Sequence, residues 1–264
     1  YMFFETLAQI VKDKHQQSIE LPEGWAQGRA FFGGFSAGIA ADFILKQFDA
    51  AYHMRAFNVS FVAPTAPGKA ELALNVLRQG SSVVQVSAQI IQNGEVTLFA
   101  LASLGKARES AVFEGQEPAP EFAAPEQGMG IPDSPVTPEF AKHFDYRILR
   151  GGMPFSGQVE REFGGWVRFR NEQHEMTIAA VLGLVDAWPP AVLPRLKKPA
   201  PASSLTWTIE FPDKRLSEKQ STAWWRYLAT IEYAADGYGH SRAGLWDEQG
   251  ELFAISRQTF TVFA

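Results

Sequence analysis

The sequence predicts an α+β fold in which two curved antiparallel sheets each wrap a long apolar helix. Two observations lead to this class: an apolar helix is followed by a run of short strands, and this order of elements occurs twice in the 264 residues. The length allows one large domain or two of about 100–150 residues. We expect a first module at 1–105, a Pro/Gly-rich linker at 106–145 and a second module at 146–264.

The first module opens with a helical pattern at 3–13 and a short strand at 17–21. The segment FFGGFSAGIAADFIL (31–45) is apolar nearly all round, so a helix there would be buried rather than amphipathic. Asn93-Gly94 lies between two alternating runs and indicates a hairpin, because a type I′ turn needs positive φ at both positions. The four strands predicted after the helix are 54–63, 69–77, 83–91 and 96–104.

The second module repeats this pattern after a linker segment that contains six prolines and shows no periodicity. The run EMTIAAVLGLVDAW (175–188) predicts a second buried helix, and Pro189-Pro190 ends it. A second Pro-rich bridge is expected at 191–201. The predicted strands of this module are 146–149, 158–170, 203–211, 222–233, 240–247 and 251–263.

The two modules also align with each other in sequence. Phe61–Pro64 corresponds to Ile209–Pro212, and the Asn93-Gly94 hairpin corresponds to Gln249-Gly250 at an offset of 156 residues. These matches indicate an internal duplication of roughly 100 residues per copy.

Composition excludes several classes of function. The net charge of −5 gives no basic face for nucleic acid, and the absence of cysteine excludes a thiolate nucleophile and a cysteine metal site. The five histidines lack metal-ligand spacing, so we expect neither a metal nor a cofactor. No window is long enough for a membrane span and no secretory signal is visible, so the cytoplasm is the expected compartment.

Three segments of the first module together resemble the acyl-CoA thioesterase II family: FFGGFSAGIAADFIL, HMRAFNVSFVAPTAPG and VLRQGSSVVQVSAQIIQNGEVTLFALASL. Residues 155–264 resemble the C-terminal module of that family more weakly. The resemblance implies a double hotdog fold, in which two tandem hotdog modules join their sheets side by side. It also implies an acyl-CoA substrate and, by analogy of fold, a dimer or larger assembly.

The resemblance further implies a site of three polar side chains that hold a water molecule. In this chain they fall on Asp186, Ser204 and Gln258. The sequence has Thr206-Trp207 where the family commonly has an Asp-His pair. Regular strand alternation would place Ser204, Thr206 and Thr208 on one face, so Thr206 remains the alternative hydroxyl.

A thioester can be hydrolysed by an oriented water, a base that takes its proton and donors for the developing oxyanion. Asp186 is the expected base, and Ser204 and Gln258 would fix the direction of the water. Backbone N–H groups at Gly33-Gly34, or at the start of the second helix near 174–176, are candidates for the oxyanion. Each residue also has a structural interpretation: Asp186 as a satisfied carboxylate at a helix end, Gln258 as a core amide and the glycines as a close-packing device.

Other residues have more than one interpretation. Asp42 matches Asp186 in the first copy and is either a relic of a second site or, as we favour, a structural carboxylate. The tryptophans Trp207, Trp224 and Trp225 would fill the core or line an acyl tunnel. Candidates for contacts with the phosphates of CoA are Arg55, Arg78, Arg170 and Arg195.

The leading functional hypothesis is therefore an acyl-CoA thioesterase that releases a fatty acid and CoA by direct attack of water. The alternative is a non-catalytic acyl-CoA-binding protein of the same fold with a degenerate site, suggested by Thr206-Trp207. A hydratase of the same fold would need an Asp–His arrangement, and no suitable spacing occurs.

Overall fold

A computed structural model describes residues 3–212 and 216–264. Three α-helices are present in these ranges: α1 (Phe3–Ala8), α2 (Gly33–Leu45) and α3 (Ile178–Asp186). The strands are β1 (Gln16–Leu21), β2 (Ala26–Gln27), β3 (Ala30–Phe31), β4 (His53–Phe61), β5 (Gly68–Gln79), β6 (Val83–Gln92), β7 (Glu95–Gly105), β8 (Phe144–Arg150), β9 (Glu162–Phe169), β10 (Ala202–Glu210), β11 (Trp225–Ala235), β12 (Tyr238–Trp246) and β13 (Leu252–Val262).

Eleven of the strands form one continuous antiparallel sheet in the order β1-β5-β6-β7-β4-β10-β13-β12-β11-β9-β8. The two expected sheets are joined side by side into one, as the family resemblance implied, because β4 pairs with β10 from Thr206 opposite Ser60 to Glu210 opposite Ala56. This pairing removes two exposed strand edges that separate sheets would have left unpaired.

Each half of the sheet repeats the same strand order from its outer side to the centre. The order is β5-β6-β7-β4 in the first half and β11-β12-β13-β10 in the second. The predicted hairpin at Asn93-Gly94 is confirmed, since both residues have positive φ between β6 and β7. At the matching turn between β12 and β13, Gly250 has positive φ.

The two long helices pack against each other, and each also contacts strands of its own half of the sheet. At Gly38 a Cβ atom would lie 3.1 Å from the carbonyl oxygen of Ala179, so glycine permits this close approach. The predicted buried character of α2 is confirmed, since nearly all of its residues are buried. α3 is shorter than predicted because Thr177 caps its start: its hydroxyl accepts a hydrogen bond from the N–H of Ala180.

The Pro-rich linker follows the surface without regular structure until short 3-10 turns at 125–127 and 139–143. Side chains of the sheet hold it in place: the indole N–H of Trp166 donates to the carbonyl of Ala123, and Arg226 donates to that of Pro120. β8 begins at Phe144, inside the range expected to be linker.

Trp207 and Trp225 are core residues, each about 1% exposed, whereas Trp224 is partly exposed beneath the guanidinium of Arg168. Within the two described ranges, no helix is long and apolar enough to cross a membrane.

Candidate active site

Three polar side chains from three different elements are joined by two hydrogen bonds, and one amide nitrogen donates both of them. The amide Nε2 of Gln258, on β13, donates to the carboxylate Oδ1 of Asp186 at 3.1 Å. The same Nε2 donates to the hydroxyl oxygen of Ser204, on β10, at 2.7 Å. Asp186 is the last residue of α3, so the end of a helix and two paired strands build this cluster.

The Asp186 carboxyl group lies in surroundings that disfavour its charge. Burial raises its pKa from the usual 3.8 to about 7, although hydrogen bonds from Gln258 and from the backbone N–H of Gly34 oppose the shift. Gly34 belongs to the first turn of α2, so the positive end of that helix faces the carboxylate. A carboxylate with a pKa near neutral pH is well suited to act as a base.

Gly33 and Gly34 allow α2 to approach Asp186 closely. A Cβ atom on Gly33 would lie 2.9 Å from Oδ2 of Asp186 and 3.0 Å from the ring of Phe61. A Cβ atom on Gly34 would lie 2.9 Å from Cβ of Asp186. Both glycines are therefore needed for packing, and the Gly34 N–H already binds the carboxylate.

The start of α3 is too far away to share a site with Asp186. The helix begins at Ile178, not near 174–176, and Asp186 is its last residue. Eight residues at 1.5 Å per residue separate the two ends by about 12 Å. Of the two backbone candidates for the oxyanion, only the start of α2 lies beside Asp186.

A β-bulge in β10 separates the hydroxyl groups that regular alternation would have grouped. The register of β10 against β13 shifts between Ser204 and Thr206, so the prediction that Ser204, Thr206 and Thr208 share one face was wrong. Ser204 faces Gln258, whereas Thr206 is exposed and Thr208 bonds to Asn58 of β4. The alternative hydroxyl Thr206 therefore lies outside the cluster.

Trp207 follows the bulge and points into the core. Its indole N–H donates to the hydroxyl of Ser256 at 2.7 Å, and both residues are buried. This chain departs from the family pattern at Thr206, which is exposed, and at Trp207, which is buried in the core. The three polar side chains still meet beside these two residues.

Asp186 and Ser204 line a cavity of about 420 Å³ with largely apolar walls. Its walls come from the end of α3, the start of β10, and three loops at 131–141, 153–155 and 187–193. An apolar cavity with a few converging polar groups is the usual form of a small-molecule site.

Aromatic residues hold the chain just after Asp186. The hydroxyl of Tyr146 donates to the carbonyl of Ala187 at 2.6 Å, and Trp188 stacks on Tyr227 with ring centroids 5.0 Å apart. Burial and the nearby Asp186 carboxylate both raise the pKa of Tyr146, so its hydroxyl stays protonated as a donor. Sequence reasoning missed Tyr146, because nothing in a lone tyrosine on a strand indicates its partner.

The remaining candidates lie elsewhere. Asp42 of α2 forms an ion pair at 2.7 Å with Lys46, the residue that follows the helix, as a structural carboxylate would. Arg55 binds the carbonyl of Gly105, Arg170 binds that of Phe144, and Arg78 is exposed on β5. Arg195 is exposed two residues beyond Leu193, which lines the cavity.

Two family models together match most of this chain. Residues 21–105 match the model of the acyl-CoA thioesterase N-terminal domain, and residues 114–262 match that of the C-terminal domain. The chain belongs to the acyl-CoA thioesterase family. A search of the curated proteins finds no matching sequence.

Solved structures show the same fold. A conserved protein of unknown function with a hot dog fold from Alicyclobacillus acidocaldarius aligns at a TM-score of 0.88 with 20% identity, over 100% of this chain and 99% of that one. An acyl-CoA thioesterase II from Mycobacterium marinum aligns at 0.73 with 18% identity, over 94% and 93%. This family member therefore has a hot dog fold, with one large antiparallel sheet and few helices.

Proposed function

We propose that the protein hydrolyses acyl-CoA thioesters to a free carboxylic acid and CoA by direct attack of water. The observation that carries this proposal is the meeting of Asp186, Ser204 and Gln258 through hydrogen bonds, with Asp186 and Ser204 lining an apolar cavity. Membership of the thioesterase family supports the same reaction class.

In the proposed reaction, a water molecule lies between the Asp186 carboxylate and the Ser204 hydroxyl. Its oxygen forms a bond to the thioester carbonyl carbon while Asp186 takes one proton, as a general base. The tetrahedral intermediate then expels the CoA thiolate, which receives the proton from Asp186. The products are a carboxylic acid and a thiol, so no further reactant is needed.

Gln258 would position the other two groups, since both hydrogens of its Nε2 are used on them. At the start of α2, our candidate for polarising the thioester carbonyl is the backbone N–H of Gly33, because the Gly34 N–H already donates to Asp186. For the phosphates of CoA we propose Arg195, because of the four arginine candidates it lies nearest in sequence to a residue of the cavity wall.

We further propose that the chain is a double hotdog, with modules at 1–105 and 146–264 joined by a linker at 106–145. The repeated strand order and the helix packed against each half support this division. β1 and β8 end the sheet as edge strands, and covering them in a homo-oligomer would protect unpaired backbone groups.

The first experiment measures free thiol released from a panel of acyl-CoAs, with Asp186→Asn as the test variant. We expect turnover by the wild type and a loss of roughly 10²–10⁴-fold in the folded variant, the usual contribution of a general base. Since the pKa of Asp186 is about 7, kcat/KM should fall as the pH drops below that value. Normal turnover by folded Asp186→Asn would contradict the site, and binding without turnover by the wild type would favour the non-catalytic alternative.

A further inference from the structure

The cavity beside the cluster contains one residue in an unusual backbone conformation. Phe155 has φ of 64° and lines the cavity. The other non-glycine residues with positive φ in the described chain are Asp13, Asn93 and Asp236. Asn and Asp tolerate this region, whereas a bulky aromatic residue there is an outlier.

The surrounding loop fixes Phe155 in place. Its backbone N–H donates to the carbonyl of Leu193 at 2.9 Å, and two residues on, the N–H of Gly157 donates to the carbonyl of Leu196 at 2.9 Å. Gly151 and Gly157 of the same loop also have positive φ. The backbone conformation alone would therefore favour glycine at position 155, so the phenyl ring is expected to contribute through its own contacts.

The ring contributes to the wall of the cavity. Phe155 and Met153 are partly buried, pack against the hydrophobic core and share the cavity with Asp186 and Ser204. A substrate whose thioester carbon meets Asp186 must place its acyl chain in this apolar space. Strain held at a ligand site by its surroundings commonly serves function.

We propose that Phe155 sets the upper limit on the length of the acyl chain that this protein accepts; this inference rests on the proposed thioesterase activity. A methylene group occupies about the volume of a water molecule, ~30 Å³, so the cavity of about 420 Å³ has room for about fourteen such groups. Removal of the phenyl ring lengthens the space, and a larger ring shortens it.

The test compares kcat/KM for straight-chain acyl-CoAs from butyryl-CoA to palmitoyl-CoA in the wild type, Phe155→Gly and Phe155→Trp. Glycine accepts the φ of 64°, so the first variant should fold. We expect it to prefer longer chains, with a gain of about four-fold for each extra methylene accommodated. Phe155→Trp, which keeps the strained backbone, should prefer shorter chains.

Asp236→Gly is the matched control. Asp236 has φ of 57° in the turn between β11 and β12 and does not line the cavity, so this change relieves similar strain away from the site. Its chain-length profile should equal that of the wild type. An unchanged profile in both Phe155 variants, or an equal loss for every chain length in folded Phe155→Gly, would overturn the inference. A wild type that hydrolyses none of the thioesters would instead refute the proposed function.

Discussion

The two halves of the sheet share a backbone irregularity but differ in the chemistry that it carries. β10 has a bulge against β13 between Ser204 and Thr206, and β4 has one against β7 between Met54 and Ala56. Met54 therefore occupies the position in the first half that Ser204 occupies in the second. The same backbone device presents a thioether in one half and a hydroxyl in the other.

The neighbouring strands extend the comparison. Trp207 pairs with Gln258 just after its bulge, and Phe57 pairs with Ala102 just after the other. Ala102 is 3% exposed and Met54 is 2% exposed, so the first half has buried apolar groups at both equivalent positions. Strand pairing thus provides two equivalent positions, and only the position in the second half carries polar side chains.

The largest expected effect on turnover comes from replacing Gln258 by alanine, the residue at the equivalent position 102 of the first half. Gln258→Ala removes the amide that contacts both Asp186 and Ser204. We expect kcat/KM for thiol release to fall roughly 10²–10³-fold, as for the loss of a pre-organised polar group in an active site. Gln92→Ala is the control, because that amide binds the backbone of Ala66 near a surface turn. Equal rates for the two variants would contradict the role of Gln258.

The pH dependence of stability separates Asp186 from an ordinary surface carboxylate. Its folded-state pKa of about 7 lies above the unfolded value near 3.8, so the unfolded chain binds fewer protons between these values. The free energy of unfolding should therefore decrease as pH rises from about 4 to 7. Asp186→Asn should remove this contribution and be more stable than the wild type by about 4 kcal/mol above pH 8. Urea unfolding at several pH values between about 4 and 8 measures the free energy of unfolding of both proteins. The same pH dependence in the wild type and in Asp186→Asn would contradict the raised pKa of Asp186.

A change at the equivalent position of the first half should affect stability rather than turnover. Met54→Ser leaves a small cavity and a buried hydroxyl, so we expect a loss of about 2–4 kcal/mol in the free energy of unfolding. Thiol release per folded molecule should stay at the wild-type level. A large loss of turnover in the folded variant would show that the first half takes part in the reaction.

The smallest effect tests the bulge itself. Ser204→Ala should lower kcat/KM about ten-fold, the equivalent of about 1.4 kcal/mol for one hydrogen bond near the reacting atoms. Thr206→Ala, only two residues away, should leave it unchanged because Thr206 is exposed. The reverse order of effects would mean that the strand runs without a bulge at Leu205.

The sequence predicted most of the fold because its signals are local. Local patterns among neighbouring residues predict the apolar helix at 33–45, the turn at Asn93-Gly94 and the strands. The three polar side chains of the cluster, Asp186, Ser204 and Gln258, follow instead from the family resemblance. The joining of the sheets through β4 and β10 depends on contacts between residues about 150 positions apart, so no local pattern predicts it and only the family resemblance implied it. Alternation could not reveal the bulge, because an extra residue in one strand appears only against its partner.

The cavity wall was beyond prediction for a related reason. Residues 131–141 were expected to be a plain linker, yet they line the space beside Asp186. Proline and glycine indicate where regular structure stops, but they carry no information about which surface the segment covers.

The contact between Gly34 and Asp186 determines which parts of the chain must be kept together. Gly34, in the first half of the chain, donates a backbone hydrogen bond to the carboxylate of Asp186 in the second half, so the second half depends on the first for this contact. A gene fragment encoding residues 146–264 alone would carry all three polar side chains and still lack part of the environment that sets the basicity of Asp186.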